Sequence, residues 1–115
     1  MKKQGFPKSL HIRKQPAFDH VHQNGSHAAD SVLVVLTAAN DLKHSRLGLS
    51  VSRKVGNAVV RNRWKRLIRE AFRKQQNAVP QGFDFVVRPR RGAQPDARAI
   101  ERSLPRLTRK AAAKL

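Results

Sequence analysis

The chain has 115 residues, 39% of them hydrophobic, which suits one domain with one modest core and excludes wholesale disorder. Twenty-five Lys and Arg against seven Asp and Glu give a formal net charge of +18, so folding costs self-repulsion that a polyanionic partner relieves, nucleic acid before an anionic membrane. The membrane reading is excluded because no apolar run approaches the roughly 18 residues of a spanning helix and none follows Met1-Lys2-Lys3 as a signal peptide requires.

Residues 1 to 14 are basic and contain Gly5 and Pro7, which predicts a flexible or RNA-ordered arm. Pro16 suits the first turn of a helix running to about Asn24, with Gly25 as its stop. Phe18, Val21 and His22 share one face of that helix. Val32 to Ala38 is apolar on both faces, as an inner strand requires, and Asn40-Asp41 supplies turn chemistry. In Arg46 to Ser52, Leu47, Leu49 and Val51 alternate with Arg46, Gly48, Ser50 and Ser52. One face of this strand belongs to the core, and the other is small and polar, with room for something to lie on it.

Asn57 is read as the N-cap of a helix reaching about Gln76. At about 100° per residue, Val60, Trp64, Leu67, Ile68 and Ala71 gather on one face. Arg61, Asn62, Lys65, Arg66, Arg69 and Arg73 gather on the other, with Arg63 on the flank. Phe83 to Arg88 reads as a strand. Pro95-Asp96 opens a last helix whose apolar face is Ile100, Leu104, Leu107 and Ala111, with a kink or break expected near Leu104 because of Pro105. Residues 109 to 115 form a low-complexity basic tail. The sum is a single domain: a helix, a strand pair, a helix, a strand and a helix, in a two-layer α/β (α+β) sandwich with a small mixed sheet. One extra short strand after the first helix is left open.

The helix after Asn57 carries seven basic side chains and one acid, Glu70. A merely solvated helix gains from acids interleaved at i±4, and here the charges repel unless phosphates meet them. Arginine predominates, and its planar guanidinium suits bidentate phosphate contact and base stacking. These residues point to nucleic-acid binding.

Other chemistries fit less well. Two-metal phosphodiester cleavage needs clustered carboxylates, and Asp19, Asp30, Asp41, Glu70, Asp84, Asp96 and Glu101 are scattered along the sequence. His20 and His22 point about 200° apart on a helix and do not converge. There is no Cys, which removes disulfides, thiolate nucleophiles and Cys-based zinc sites and fits a cytoplasmic protein. No second helix completes a helix-turn-helix, so DNA is not the expected partner. A ribosomal protein of this charge would more often hold its basic residues in a disordered tail than on a patterned helix. Neither a catalytic nor a metal-binding residue is expected in the chain.

The segment Lys54-Val55-Gly56-Asn57-Ala58-Val59-Val60-Arg61-Asn62-Arg63-Trp64-Lys65-Arg66-Leu67-Ile68-Arg69, preceded by Arg46 to Ser52, closely resembles the Arg-Asn-Arg signature of bacterial ribonuclease P proteins. The resemblance extends more loosely from about Leu10 to about Lys110. It implies a subunit of a holoenzyme that removes the 5′ leader of precursor tRNA by Mg²⁺-dependent hydrolysis, with the metals held mainly by one partner RNA per protein. It further implies that Arg53, Lys54, Asn57, Arg61, Asn62, Arg63, Lys65, Arg66 and Arg69 contact the catalytic RNA. Phe18, His22, Leu36, Ser50 and Ser52 are implied to form the leader cleft. His22 stands where the family has a second aromatic, and Leu36 where some relatives carry Tyr. A strand–helix–strand crossover is right-handed in about 98% of cases; the resemblance implies the left-handed exception through the signature helix.

Overall fold

The computed structural model describes residues 10–115; most of the expected N-terminal arm lies outside them. In chain order come α1 (Gln15–Asn24), β1 (Ser26–Ala29), β2 (Leu33–Ala39), β3 (Arg46–Leu49), α2 (Ala58–Lys74), β4 (Phe83–Pro89) and α3 (Ala97–Ala113). The four strands form one mixed sheet in the order β1-β2-β4-β3. β1–β2 and β2–β4 are antiparallel, and β3–β4 is parallel. The short strand left open after the first helix is therefore present.

The two strands read as a consecutive pair are not neighbours. β4 lies between them because it is the strand that can be buried on both faces: Asp84, Phe85, Val86 and Val87 are all buried. The connection from β2 to β3 passes over the end of β4, where the backbone N–H of Asn40 donates to Gly82 O (3.0 Å). Asp41 there adopts φ +60°, a conformation Asp tolerates better than most residues.

Helices cover both sheet faces. α2 and α3 enclose the larger core, in which Leu33, Val35, Leu47, Phe85 and Val87 meet Trp64, Ile68, Phe72, Ile100, Leu104 and Leu107. α1 covers part of the opposite face, where Val21, Ile12, Ala38 and Val86 form a smaller core with Phe18 and Leu36 packed against it. Gly25 ends α1 for a steric reason. A Cβ there would collide with the carbonyl of Thr37 and lie 2.5 Å from that of Val21.

Three sequence expectations are corrected. Leu10 to Ile12 do not belong to a free arm: His11 bridges Leu47 in parallel, Ile12 N–H donates to Leu47 O (2.9 Å), and Ile12 is buried. Pro105 does not break α3. A proline at 105 leaves the carbonyl of Glu101 without its usual donor four residues on, and Gln75 Nε2 takes that place at 2.9 Å. Nor is 109 to 115 only a low-complexity basic tail. α3 runs to Ala113, Ala111 is buried and its carbonyl accepts from Ser26 Oγ.

Candidate nucleic-acid interface

Strand register builds the sheet face that α1 only partly covers. Residues directly opposite across a sheet share a face, so Arg46, Asp84 and Ala38 form one row. Gly48, Val86, Leu36 and His27 form the next, and Arg88, Val34 and Ala29 a third. The first row is closed by charge. Arg46 donates from Nε (2.8 Å) and a terminal amine (2.6 Å) to the buried Asp84 carboxylate, which also accepts from Asn40 Nδ2 (2.9 Å). The hydrogen bond to Asp84 raises the Arg46 pKa above its ordinary value despite partial burial.

The second row is closed by α1. At Gly48 a Cβ would sit 2.8 Å from Phe18 Cε1 and 3.1 Å from Ile12 Cδ1, so the ring lies directly on the glycine. The space that the small residues of β3 seemed to leave open is filled at this point by Phe18 and Ile12.

The third row stays open and is the floor of a 640 Å³ groove. Its lining combines Ala29, Val34, Val55 and Pro89 with Ser50, Ser52, His27, Lys54, Arg88, Arg90 and Arg91. Four fixed cations and no acid surround an apolar floor, the combination that tracks a single strand's phosphates while accommodating bases and riboses. Ser50 continues the Arg46–Gly48 face into the groove, although β3 itself ends at Leu49, sooner than its alternation predicts. Ser50 N–H still donates to Val87 O (3.0 Å), and Ser52 Oγ then accepts from Lys54 N–H (3.2 Å) to start a 3₁₀ turn over Arg53–Val55.

Of the residues assigned to a cleft, Ser50 and Ser52 thus line this groove. Phe18 and Leu36 are half-buried beside the smaller core, one row away. His22 is exposed on α1, its Nδ1–H donating to Phe18 O (2.8 Å), which folds the ring back along its own helix. Sequence reasoning missed His27, Arg88, Arg90 and Arg91. The dense Arg88-Pro89-Arg90-Arg91 run was the available signal, but only the register places it beside Ser50.

The turn Arg53–Val55 leads directly from this groove into α2. Asn57 caps that helix as predicted, its Oδ1 accepting from Val60 N–H (3.0 Å). Gly56 precedes it at φ +149°, where a Cβ would meet Val60 Cβ at 2.8 Å. Phe72 joins Trp64, Ile68 and Ala71 in the core, a residue the apolar-face assignment omitted. Its burial turns the helix so that Arg61 and Lys65 become half-buried flanks, while Asn62, Arg63, Arg66 and Arg69 stand exposed. The Nε of Arg61 is enclosed and has no acceptor among the described residues.

The ion pairs of α2 are Arg73–Glu70 (2.8 Å) and Lys74–Glu101 (3.6 Å). Arg61, Arg63, Lys65, Arg66 and Arg69 are in neither, so this surface keeps its charge. Among the described residues no three His, Asp or Glu side chains gather as a metal site would need. No helix of the described residues is long and apolar enough to cross a membrane.

A small, strongly basic α+β protein, with its charge ordered along a helix and around a groove, is the class this fold and site define. The sequence matches the family "Ribonuclease P" over residues 6–112. The chain is 42% identical over 106 residues to the ribonuclease P protein component of Brevibacillus brevis, covering 90% of this chain and 84% of that relative. It superposes on the RNase P protein of Staphylococcus aureus with a TM-score of 0.79 at 36% identity, covering 90% of this chain and 96% of the other. For the Thermotoga maritima RNase P protein the TM-score is 0.78 at 33% identity, with 87% and 96% covered. The chain belongs to the ribonuclease P protein family.

Proposed function

We propose that this chain is the protein subunit of a ribonuclease P holoenzyme, with the basic face of α2 on the catalytic RNA and the groove on the single-stranded 5′ leader of precursor tRNA. The observation that carries this reading is the continuity of the two surfaces. Lys54 and Val55 line the groove, and three residues later α2 begins, presenting Arg63, Arg66 and Arg69 outside the Arg73–Glu70 and Lys74–Glu101 ion pairs of the described residues. One polyanion along the helix and a second strand in the groove would therefore meet beside Lys54.

On this reading Arg63, Arg66 and Arg69 bind backbone phosphates of the RNA subunit, and Asn62 hydrogen-bonds at the same surface. Arg53 and Lys54 bridge the two surfaces. In the groove Lys54, Arg88, Arg90 and Arg91 hold leader phosphates over Val34 and Ala29. Phe18, one row away, is the stacking surface for a base that reaches beyond the groove, with Leu36 beside it.

The chain's own donors do not fit a Mg²⁺ site. Asp30, Asp84, Glu70 and Glu101 are each engaged by an arginine or lysine, and among the described residues no three acids or histidines gather. The hydrolytic metals are assigned to the RNA, and the protein binds, orients and neutralises.

Reconstitution tests this. Highly purified protein with Mg²⁺ should leave precursor tRNA intact, and adding the cognate ribonuclease P RNA should give a single cut at the mature 5′ end. Cleavage that tracks with the protein peak in the absence of RNA would overturn the assignment.

A further inference from the structure

Resting on that reading, we infer that α3 carries a second, separate RNA-binding surface that holds the phosphate backbone of the RNA subunit, centred on Arg98, Arg102 and Arg109. The last helix points Ile100, Leu104, Leu107 and Ala111 into the core. Opposite them, at 100° per residue, Arg98, Arg102, Arg106 and Arg109 fall within about 80° of one another. All four are exposed. They span about 16 Å along the helix at 1.5 Å per residue, in steps of four, four and three residues or about 6, 6 and 4.5 Å, short enough for one strand's backbone to meet several of them.

Among the described residues, Arg106 is the one of the four that pairs with an acid. It pairs with Asp30 in the β1–β2 turn, whose carboxylate also accepts from the N–H groups of Val32 (2.8 Å) and Leu33 (3.0 Å). That pair pins the turn against the helix and leaves a 450 Å³ depression between them. Asp30, paired with Arg106, lines it together with Ser31, Arg102 and Ser103, with Val32 and Ala99 as its apolar part. Arg98, Arg102 and Arg109 are in none of the ion pairs of the described residues. A helix kept only for solubility would gain from acids at i±4; here Glu101 is turned toward α2, where it meets Lys74.

The surface is distinct from the α2 face. Both helices pack on the same side of the sheet, but Lys74 of α2 and Glu101 of α3 pair across the seam between them, and Glu70 neutralises Arg73 on α2 itself. The leader groove opens on the other sheet face. Substrate held there lies across the sheet from α3, whereas RNA lying on α2 is next to it. The RNA subunit is therefore the occupant assigned.

The test uses the full chain with the cognate ribonuclease P RNA transcribed in vitro. Three variants are compared: Arg98→Gln/Arg102→Gln/Arg109→Gln on α3, Arg63→Gln/Arg66→Gln on α2, and Val59→Gln. Val59 is 77% exposed, so its replacement controls for a neutral surface change on α2. Thermal melts first confirm that all fold. The α3 triple variant should lower the slope of log K against log[salt] by roughly 0.7–0.9 for each phosphate it no longer neutralises. In hydroxyl-radical footprinting, a patch of RNA backbone that the α2 variant still protects should become accessible with the α3 variant. If the α3 variant matches wild type in slope and footprint while the α2 variant does not, the inference is overturned and the proposed function stands. If the weakening appears only when precursor tRNA is added, the assignment to the RNA subunit is overturned. If neither α2 nor α3 variants alter binding, the proposed function falls too.

Discussion

At the scale of single residues, Gly48 and Phe18 show how closely the groove's border is fitted. A methyl on Gly48 would press on the Phe18 ring at 2.8 Å, and the strand backbone cannot retreat because it is hydrogen-bonded to β4. Gly48→Ala should therefore destabilise by about 1–3 kcal/mol, as overpacking does. In a Phe18→Ala background the methyl has room, and the combined loss should fall below the sum of the single losses by about 1 kcal/mol or more. Urea unfolding of the four proteins measures this, and simple additivity would show that the ring does not rest on the glycine. Folded Phe18→Ala should also weaken binding of long-leader precursors relative to leaderless ones, by about 1–3 kcal/mol if one base stacks there. Asp30 makes a pH prediction. Burial alone would raise its pKa, but hydrogen bonds from Ser103, Leu33, Val32 and Arg106 outweigh that and bring it below the ordinary 3.8. A lowered folded-state value means the stabilisation is present above the unfolded pKa and is lost as pH falls through the folded one. Stability of the native chain should then drop on acidification below about pH 4 more steeply than that of Asp30→Asn, measured by denaturant midpoint.

At the scale of elements, periodicity located α1, α2 and α3 to within a few residues because each has an apolar face and a boundary signal, Pro16 and Gly25 for α1 and the capping Asn57 and Asp96 for α2 and α3. What it could not show was pairing across the chain. β1 has only four residues, Ser26–Ala29, with no alternation long enough to announce it, and nothing local places β4 between β2 and β3. The continuity of α3 was hidden for a related reason: the group that completes it, Gln75, lies beyond the end of another helix. Because Gln75 Nε2 satisfies the Glu101 carbonyl that Pro105 cannot serve, Gln75→Ala should cost about 0.5–1.5 kcal/mol, the net worth of one hydrogen bond to a partly buried acceptor. Pro105→Ala restores a backbone donor at the right position. In that background the cost of Gln75→Ala should shrink to less than half. An undiminished cost would mean that Gln75 stabilises α2 alone.

At the scale of the whole molecule, the basic helix was legible because its chemistry sits in consecutive residues, while the groove was only half legible. Ser50 and Ser52 came from the strand pattern, whereas His27 and Arg88 reach the same space through strand register. The sheet edges are both covered, β3 by His11 and Ile12, and β1 by the end of α3, where Lys114 Nζ donates to His27 O (2.6 Å). Covered edges leave few free strand groups for self-pairing, and the excess charge adds a self-repulsion that opposes the compact state. With +18 on 115 residues and five cations of α2 outside its ion pairs, anions that bridge several arginines should bind the folded chain far better than the unfolded one. Such a ligand stabilises by RT ln(1 + [L]/Kd), about 2.7 kcal/mol at a hundredfold excess over Kd. Short single-stranded RNA, phosphate and sulfate should therefore raise the melting temperature by several degrees at concentrations where chloride of equal ionic strength does little. Screening alone depends on ionic strength and not on the anion's shape, so an equal response to chloride would show diffuse charge with no organised sites. Arg63→Gln/Arg66→Gln should reduce the RNA-induced shift more than the sulfate-induced one, because a strand engages several arginines at once and a single ion engages one or two.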